Sequence, residues 1–299
     1  MGIPESQLET WAHQGAVTTA RATHVSIRNA LRADNSPIKN KDFEVYIQGS
    51  YKNSTNIRGD SDVDVITQLN SSFRRDLTAL SNDERTLYKQ AHSDATYLWK
   101  DFRADVMQAL QSYYSSSSIS EGDKSLKVAG GSGRLPADVV VCLQYRKYLR
   151  FQSLDDQQYV EGIAFYALRE GRWIINFPKP HYNNGVNKNS QSRTNGWYKP
   201  TVRCFKNART YLVENREIDE TLAPSYFLEC LIYNVPDAKF GINYQNTFVN
   251  VINWLAEADF NDLVCQNEQL LLFGSIPEQW SIENANGLIQ NLVRLWNNW

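Results

Sequence analysis

Cysteine and histidine are scarce in this chain, with four of each among 299 residues. Cys142, Cys204, Cys230 and Cys265 are widely spaced, form no Cys-x-x-Cys pair and sit in apolar segments, so the expectation is buried, reduced thiols rather than a disulfide framework. With no paired cysteines, so few histidines do not make a structural zinc site. An excess of one charge is also missing. The 31 basic residues against 33 acidic ones give a net charge of -2, and nothing draws the chain as a whole toward a nucleic acid polymer. No apolar run approaches the roughly 18 residues of a membrane span, and the N-terminus lacks the basic-then-apolar pattern of a signal peptide. A cytoplasmic chain with no membrane partner is expected. There is no internal repeat and no low-complexity tail.

What is present is globular material, 42% apolar and 12% aromatic, in a chain long enough for two lobes. From Glu5 to about Ala33 there is no proline, and Leu8, Trp11, Val17, Ala20, His24, Ile27 and Leu31 recur at near-helical steps, which predicts one long amphipathic helix. Phe43 to Ile47 predicts a strand, and Asp62 to Ile66 a second with strict alternation. Asn82 to Tyr114 has helical spacing up to the serine run Ser115 to Ser118, read as a loop. Lys124 to Ala129 and Ala137 to Tyr145 predict a hairpin around Gly130 to Gly133, and Ala164 to Leu168 with Trp173 to Phe177 a second strand pair. The polar, Asn-rich stretch from Pro178 to Gly196 is expected to be a hinge. Beyond it, residues about 198–216, 222–234, 244–258 and 284–297 read as helices, with Pro200 and Pro224 near first turns. The expected division is a catalytic lobe over 1–190, with the long N-terminal helix, and a helical lobe over 191–299.

The chemistry is concentrated in Gly49-Ser50, followed after eleven residues by Asp62-Val63-Asp64, with a third acid, Asp138, on a later strand. Alternation points Asp62 and Asp64 the same way while Val63 and Val65 enter the core. Two carboxylates held that close repel, and a divalent cation is their natural partner. Oxygen-only ligands select Mg²⁺ or Mn²⁺. Asp138 precedes Val139, Val140 and Val141, a buried-strand pattern that leaves the acid at the sheet's edge. Three carboxylates suffice for one to bridge two ions while the others hold one each, as two-metal nucleotidyl transfer requires. Gly49 lets the backbone approach phosphate oxygens, and Ser50 offers them a hydroxyl. By itself an Asp-x-Asp pair is an ordinary feature of a half-exposed strand; the upstream Gly-Ser and the third acid give it chemical meaning.

The run from Gln48-Gly49-Ser50 through Arg58-Gly59-Asp60-Ser61 to Asp62-Val63-Asp64-Val65 resembles the active-site segment of polymerase-beta-type nucleotidyltransferases. More narrowly, it resembles the bacterial cGAS/DncV-like nucleotidyltransferases of anti-phage signalling, clade E among them. The likeness extends to Ile174 to Pro178, Gly196 to Arg209 and Pro224 to Leu231, and so covers most of the chain. It implies an α+β fold, a polymerase-beta-like sheet lobe packed on a helical lobe with the active site in the cleft between them. It also implies that Asp62, Asp64 and Asp138 are the metal triad and that Ser50 touches the donor triphosphate. Lys206 and Ser225 resemble the residues that hold the triphosphate tail, and Tyr226 the aromatic stacked on a nucleobase. Lys199 and Arg203, four positions apart on one predicted helix, share a face that can serve the same phosphates. Asn176, whose amide carries both a donor and an acceptor for a pyrimidine edge, resembles the asparagine associated in clade E with choosing uracil. His13 and His181 match no role.

The implied reaction joins nucleoside triphosphates (ATP, UTP or GTP) under two Mg²⁺ ions, with Mn²⁺ able to substitute, and releases pyrophosphate. An acceptor 3′- or 2′-hydroxyl attacks the donor α-phosphate, and a second, identical reaction closes a cyclic dinucleotide, uracil-containing if Asn176 plays its expected part, such as cyclic UMP-AMP. The resemblance further implies a monomer whose product is read by a downstream effector. Two alternatives stand beside it. A nucleotidyltransferase of the same superfold that makes linear oligonucleotides, or modifies RNA or a small molecule, shares the triad. A catalytically silent nucleotide-binding module would usually have lost one of its carboxylates, and all three are present here.

Overall fold

The computed structural model describes residues 2–57 and 62–299. Arg58, Gly59, Asp60 and Ser61 of the Gly-Ser-to-Asp segment lie outside the described residues. Among the described residues there are ten α-helices: α1 (Glu5–Ala12), α2 (Thr18–Leu31), α3 (Gly49–Asn53), α4 (Asn82–Ala91), α5 (Trp99–Tyr114), α6 (Pro178–Lys188), α7 (Tyr198–Glu214), α8 (Ser225–Tyr233), α9 (Tyr244–Glu257) and α10 (Ile282–Asn298). The strands are β1 (Phe43–Ile47), β2 (Val63–Asp76), β3 (Ile119–Glu121), β4 (Leu126–Val128), β5 (Ala137–Phe151), β6 (Gln157–Ala167) and β7 (Arg172–Asn176).

One compact unit comprises Ala16–Tyr51 and Ser61–Lys179 and holds the whole sheet. The long strand β5 organises it. One edge of β5 pairs parallel with β2, which in turn pairs antiparallel with β1. Its other edge is shared, the first residues pairing with β4 and the later ones with β6. Alternation along β2 and β5 then sorts their side chains. Val63, Val65, Leu69, Val139 and Val141 point to the face covered by Ile27 and Leu31 of α2 and by Phe102, Val106 and Leu110 of α5. Ile66, Val140 and Cys142 point the other way, to Ile163, Phe165 and Ile174 of β6 and β7. Fully burying each large aliphatic side chain contributes on the order of 1.5–3 kcal/mol, so a one-residue slip of β2 would forfeit several such terms at once.

The second unit comprises Met1–Gly15, Lys52–Asp60 and Pro180–Trp299 and is helical. Leu8 of α1, Val202 and Phe205 of α7, Leu228 and Leu231 of α8, Phe248 and Val251 of α9, and Leu288 and Leu292 of α10 form its core. The Phe205 and Phe248 rings stack at 4.4 Å. The expected helices over 198–216, 222–234, 244–258 and 284–297 correspond to α7 to α10 within a few residues.

Three expectations are corrected. The single N-terminal helix is two, α1 and α2, with His13 already extended. The break is tertiary in origin: the Gly15 amide donates to Asn56 O at 3.1 Å, and a side chain at Gly15 would bring Cβ to 2.6 Å from Ile57 O. The helical stretch from Asn82 to Tyr114 is also two helices. A capping box of Ser81 and Glu84 opens α4, extended His92 ends it, and the Leu98 amide, bound by Asp101 Oδ2 at 3.0 Å, opens α5. The expected hinge from Pro178 to Gly196 begins as a helix, α6, whose prolines fall in its first turn, where no amide donor is missed. Its side chains are tied from outside, Asn184 Nδ2 donating to Gln266 O at 2.9 Å and Lys188 Nζ to Val235 O at 2.7 Å.

Candidate active site

In the sheet unit the register brings two of the three expected acids together. Asp64 on β2 and Asp138 on β5 are direct partners in a parallel pairing, so their backbones are one strand spacing apart, about 4.8 Å. Both are half-buried, near the start of their strands. The adjoining β4 places Lys127 opposite Asp138, and Ser125 Oγ donates to Asp138 Oδ1 at 2.8 Å. Asp62 is exposed and stands one residue ahead of β2. It shares with Asp138 and Lys127 the lining of a cavity of about 240 Å³, to which Ser118 and Ser120 of the serine-rich segment also contribute. In the sequence that segment is no more than a loop, because serine runs carry no spacing signal of their own.

Gly49 lies against the Asp64 carboxylate. Its φ of +67° is the left-handed region open to glycine, and a Cβ there would overlap Oδ2 of Asp64. The Gln48 amide donates to Asp64 O at 3.0 Å, which carries the β1–β2 ladder up to this glycine. Ser50 follows in the first turn of α3. Among the described residues no group of three His, Cys, Asp or Glu side chains converges as a ready-made metal site. The donor set is all carboxylate oxygen, which fits a hard cation such as Mg²⁺ and not zinc. Two acids in register on neighbouring strands fit such a cation electrostatically, because their mutual repulsion is relieved by it.

Asn176 is the last residue of β7, half-buried and paired in register with Ile163. Among the described residues its side-chain amide forms no hydrogen bond. Gly162 is where the chain permits the β6–β7 approach, since a Cβ there would lie 2.7 Å from Asn176 O.

In the helical unit the expected cations differ in accessibility. Arg203 and Lys206 are buried and turned to backbone: Arg203 donates from Nε to Ala12 O and from Nη1 to Ser54 O, and Lys206 Nζ donates to Thr55 O at 3.0 Å. Burial pushes the Arg203 guanidinium below its ordinary value. Lys199 is half-buried with its ammonium 5.6 Å from the centre of the Tyr182 ring, and Lys52, at the end of α3, lies over the same ring at 4.4 Å. Burial lowers Lys199 from its ordinary value; Glu229 opposes the shift, and the charges of Arg203 and Lys52 add to it. Lys52 lies within the motif run but drew no notice in the sequence, where a lysine next to a Gly-Ser turn reads as a solvated charge. Ser225 and Tyr226 open α8 and are exposed. Tyr226 stacks on His181 at 5.5 Å with 23° between planes, and its hydroxyl accepts from Asn267 Nδ2 at 3.2 Å.

Beneath them is a buried hub that the sequence did not disclose. Glu229, on the apolar α8, accepts from Asn53 Nδ2 at 3.2 Å and Thr55 Oγ1 at 2.8 Å and lies 3.2 Å from His181 Nε2. Burial alone would raise its carboxyl, but the hydrogen bonds from His181 and Thr55 and the charges of His181 and Lys206 outweigh it and hold it below the ordinary glutamate value. Glu229, Arg203 and Lys206 together fasten residues 53–55, the segment that follows Gly49-Ser50.

Comparison with known proteins places the chain. Residues 183–297 match the family described as the cGAS/DncV-like nucleotidyltransferase C-terminal helical domain. The whole chain is 55% identical over 299 residues to a cyclic UMP-AMP synthase of Rhodothermus marinus, covering 99% of that protein. It is 34% identical over 303 residues to a cyclic dipurine nucleotide synthase of Elizabethkingia meningoseptica, covering 99% of this chain and 98% of the relative. Its structure is similar to that of the Rhodothermus marinus CdnE c-UMP-AMP synthase with Apcpp and Upnpp, with a TM-score of 0.89 over 99% of this chain and 97% of that one. The chain is thus a nucleotidyltransferase and belongs to the cGAS/DncV-like family of cyclic nucleotide synthases.

Proposed function

We propose that this chain converts one UTP and one ATP into a cyclic dinucleotide of the cyclic UMP-AMP type, releasing two pyrophosphates. The observation that carries the reading is the parallel register of Asp64 and Asp138 beside Gly49, in a chain 55% identical to a cyclic UMP-AMP synthase. Asp62, Asp64 and Asp138 would hold two Mg²⁺ ions, with Mn²⁺ a fitting substitute, supplying charge neutralisation at the triphosphate and a lowered pKa for the attacking hydroxyl. Gly49 admits the donor's phosphates close to the backbone, and Ser50 donates to a phosphate oxygen. Lys199 and Lys52 offer accessible positive charge to the triphosphate tail, with Ser225 as a neutral donor. Arg203 and Lys206 act through the segment they fasten, holding residues 53–55 in place, rather than as exposed phosphate ligands. Tyr226 presents a ring face for a base, and the unbonded amide of Asn176 pairs with the uracil edge.

The acceptor's 3′- or 2′-hydroxyl attacks the donor α-phosphorus, a P–O bond forms, and the bond to pyrophosphate breaks; repetition on the linear product closes the ring. We place the reaction in the bacterial cytoplasm, as a monomeric anti-phage signalling enzyme whose product activates an effector. Incubation with each labelled nucleoside triphosphate, singly and in pairs, followed by phosphatase and mass analysis, tests the reading. A phosphatase-resistant product containing uracil and adenine is expected. Only linear, phosphatase-sensitive products, or none in any combination, would overturn it.

A further inference from the structure

A second cavity, of about 410 Å³, opens on the α5 side of the sheet, lined by the first turn of α5 and by residues of β2, β5, β6 and β7. It is distinct from the carboxylate site in the same unit. On β5, Leu143 of its lining stands five residues past Asp138, which puts the pocket about 17 Å away at ~3.3 Å per residue. Its wall is a triangle of Trp99, Tyr166 and Trp173, whose ring centroids are 5.5–5.7 Å apart. The triangle is rigidly held, Tyr166 and Trp173 being cross-strand partners and Trp99 Nε1 donating to Val141 O at 2.8 Å. The Arg74 guanidinium lies 4.3 Å from the centre of the Trp173 ring. Lys100 stands on the rim, and the lining contains no acid. Among the described residues no carboxylate forms an ion pair with Arg74.

Concave aromatic walls with a few convergent polar groups are the makeup of a small-molecule site, and the volume suits one ring system with a substituent. The uncompensated cations select the sign of that substituent. We propose that this pocket is a second ligand site that takes a planar aromatic anion, its ring against Trp99, Tyr166 and Trp173 and its anionic group against Arg74 and Lys100. Two sources share that chemistry, a mononucleotide and a non-nucleotide aromatic acid.

The probe is 1-anilinonaphthalene-8-sulfonate, followed by fluorescence titration of the full chain. Saturable one-site binding is expected, weakened about tenfold or more when Arg74→Glu and Lys100→Glu reverse the charge. Both positions are exposed, so this variant should melt like the wild type; Trp173→Leu, which removes the wall, is the second variant. Displacement by UMP or AMP assigns the nucleotide source, and displacement by indole-3-carboxylate but by neither nucleotide assigns the aromatic acid. Titration without a saturable component, or equal affinity in the charge-reversed chain, overturns the site.

Discussion

Gly49 shows how much of the carboxylate site depends on a missing atom. Its positive φ and its contact with Asp64 each exclude a side chain. Gly49→Ala should therefore lower stability by about 1–3 kcal/mol, as non-glycine residues forced into such conformations do, and displace the Asp64 carboxylate. Cyclic product should fall by at least the ~100-fold that a misplaced reacting group costs, and a variant turning over at the wild-type rate would show that the contact is incidental. Asn176 poses a question of choice rather than rate. If its amide pairs with uracil, Asn176→Ser should shift products toward purine-only dinucleotides by about one to two decades, the worth of a lost base-edge contact of roughly 1–3 kcal/mol. Total triphosphate consumption should persist. An unchanged product ratio from equimolar ATP, GTP, UTP and CTP would assign Asn176 to ending β7 and nothing more. Relatives of this family are named for both uracil-containing and dipurine products, so membership alone does not fix the bases.

At the scale of elements, α8 carries an acid where its sequence, Ser225 to Tyr233, is otherwise apolar but for Cys230 and the first residue. Glu229 is 4% exposed and receives Asn53, Thr55 and His181. Glu229→Leu should destabilise the protein by about 3–5 kcal/mol, the cost of leaving buried partners of a charge unpaired, read as a lower urea midpoint. The folded carboxyl lies below its ordinary value of 4.5, so the unfolded chain binds the proton more readily. Its stabilisation is then complete above about pH 4.5 and is lost as pH falls through the lower folded value. The gap in urea midpoint between wild type and variant should narrow on acidification, and a gap that widens would show that Glu229 is held neutral.

This hub marks the limit of what the sequence discloses. Alternation in Phe43 to Ile47 and Asp62 to Ile66, and the helical period of residues 198–216, announced β1, β2 and α7 because those patterns are local. The pairing of Asp64 with Asp138 is not local, since it depends on a parallel register between distant segments. The break at Gly15 and the helix at Pro178 depend on Asn56, Gln266 and Val235, all remote in sequence. Lys206 and Arg203 were legible as cations near a phosphate motif, but their burial against Thr55 O, Ser54 O and Ala12 O was not.

For the whole molecule, the three acids make a prediction in which stability and chemistry are read together. Without a cation, neighbouring carboxylates oppose the folded state, so Asp62→Asn with Asp64→Asn should leave the melting temperature unchanged or raise it, while abolishing product. A ligand that binds only folded chain stabilises it by RT ln(1 + [L]/Kd), about 2.7 kcal/mol at a hundredfold excess over Kd. In a protein of this size, with an unfolding entropy of about 2.1 cal/mol/K per residue, that is a rise of roughly 4 °C. Non-hydrolysable UTP and ATP analogues with Mg²⁺ should produce it in the wild type, and Mn²⁺ should do the same because both ions accept octahedral oxygen ligands. Excess chelator should remove most of the rise, and the double variant should show little of it at any Mg²⁺ concentration. Since Lys52, Lys199 and Tyr226 are untouched in that variant, a small metal-independent shift from nucleotide alone is compatible with the assignment. A full shift in chelator, or one of equal size in the double variant, would mean that nucleotide binds without the carboxylates and that the metal assignment of Asp62 and Asp64 is wrong.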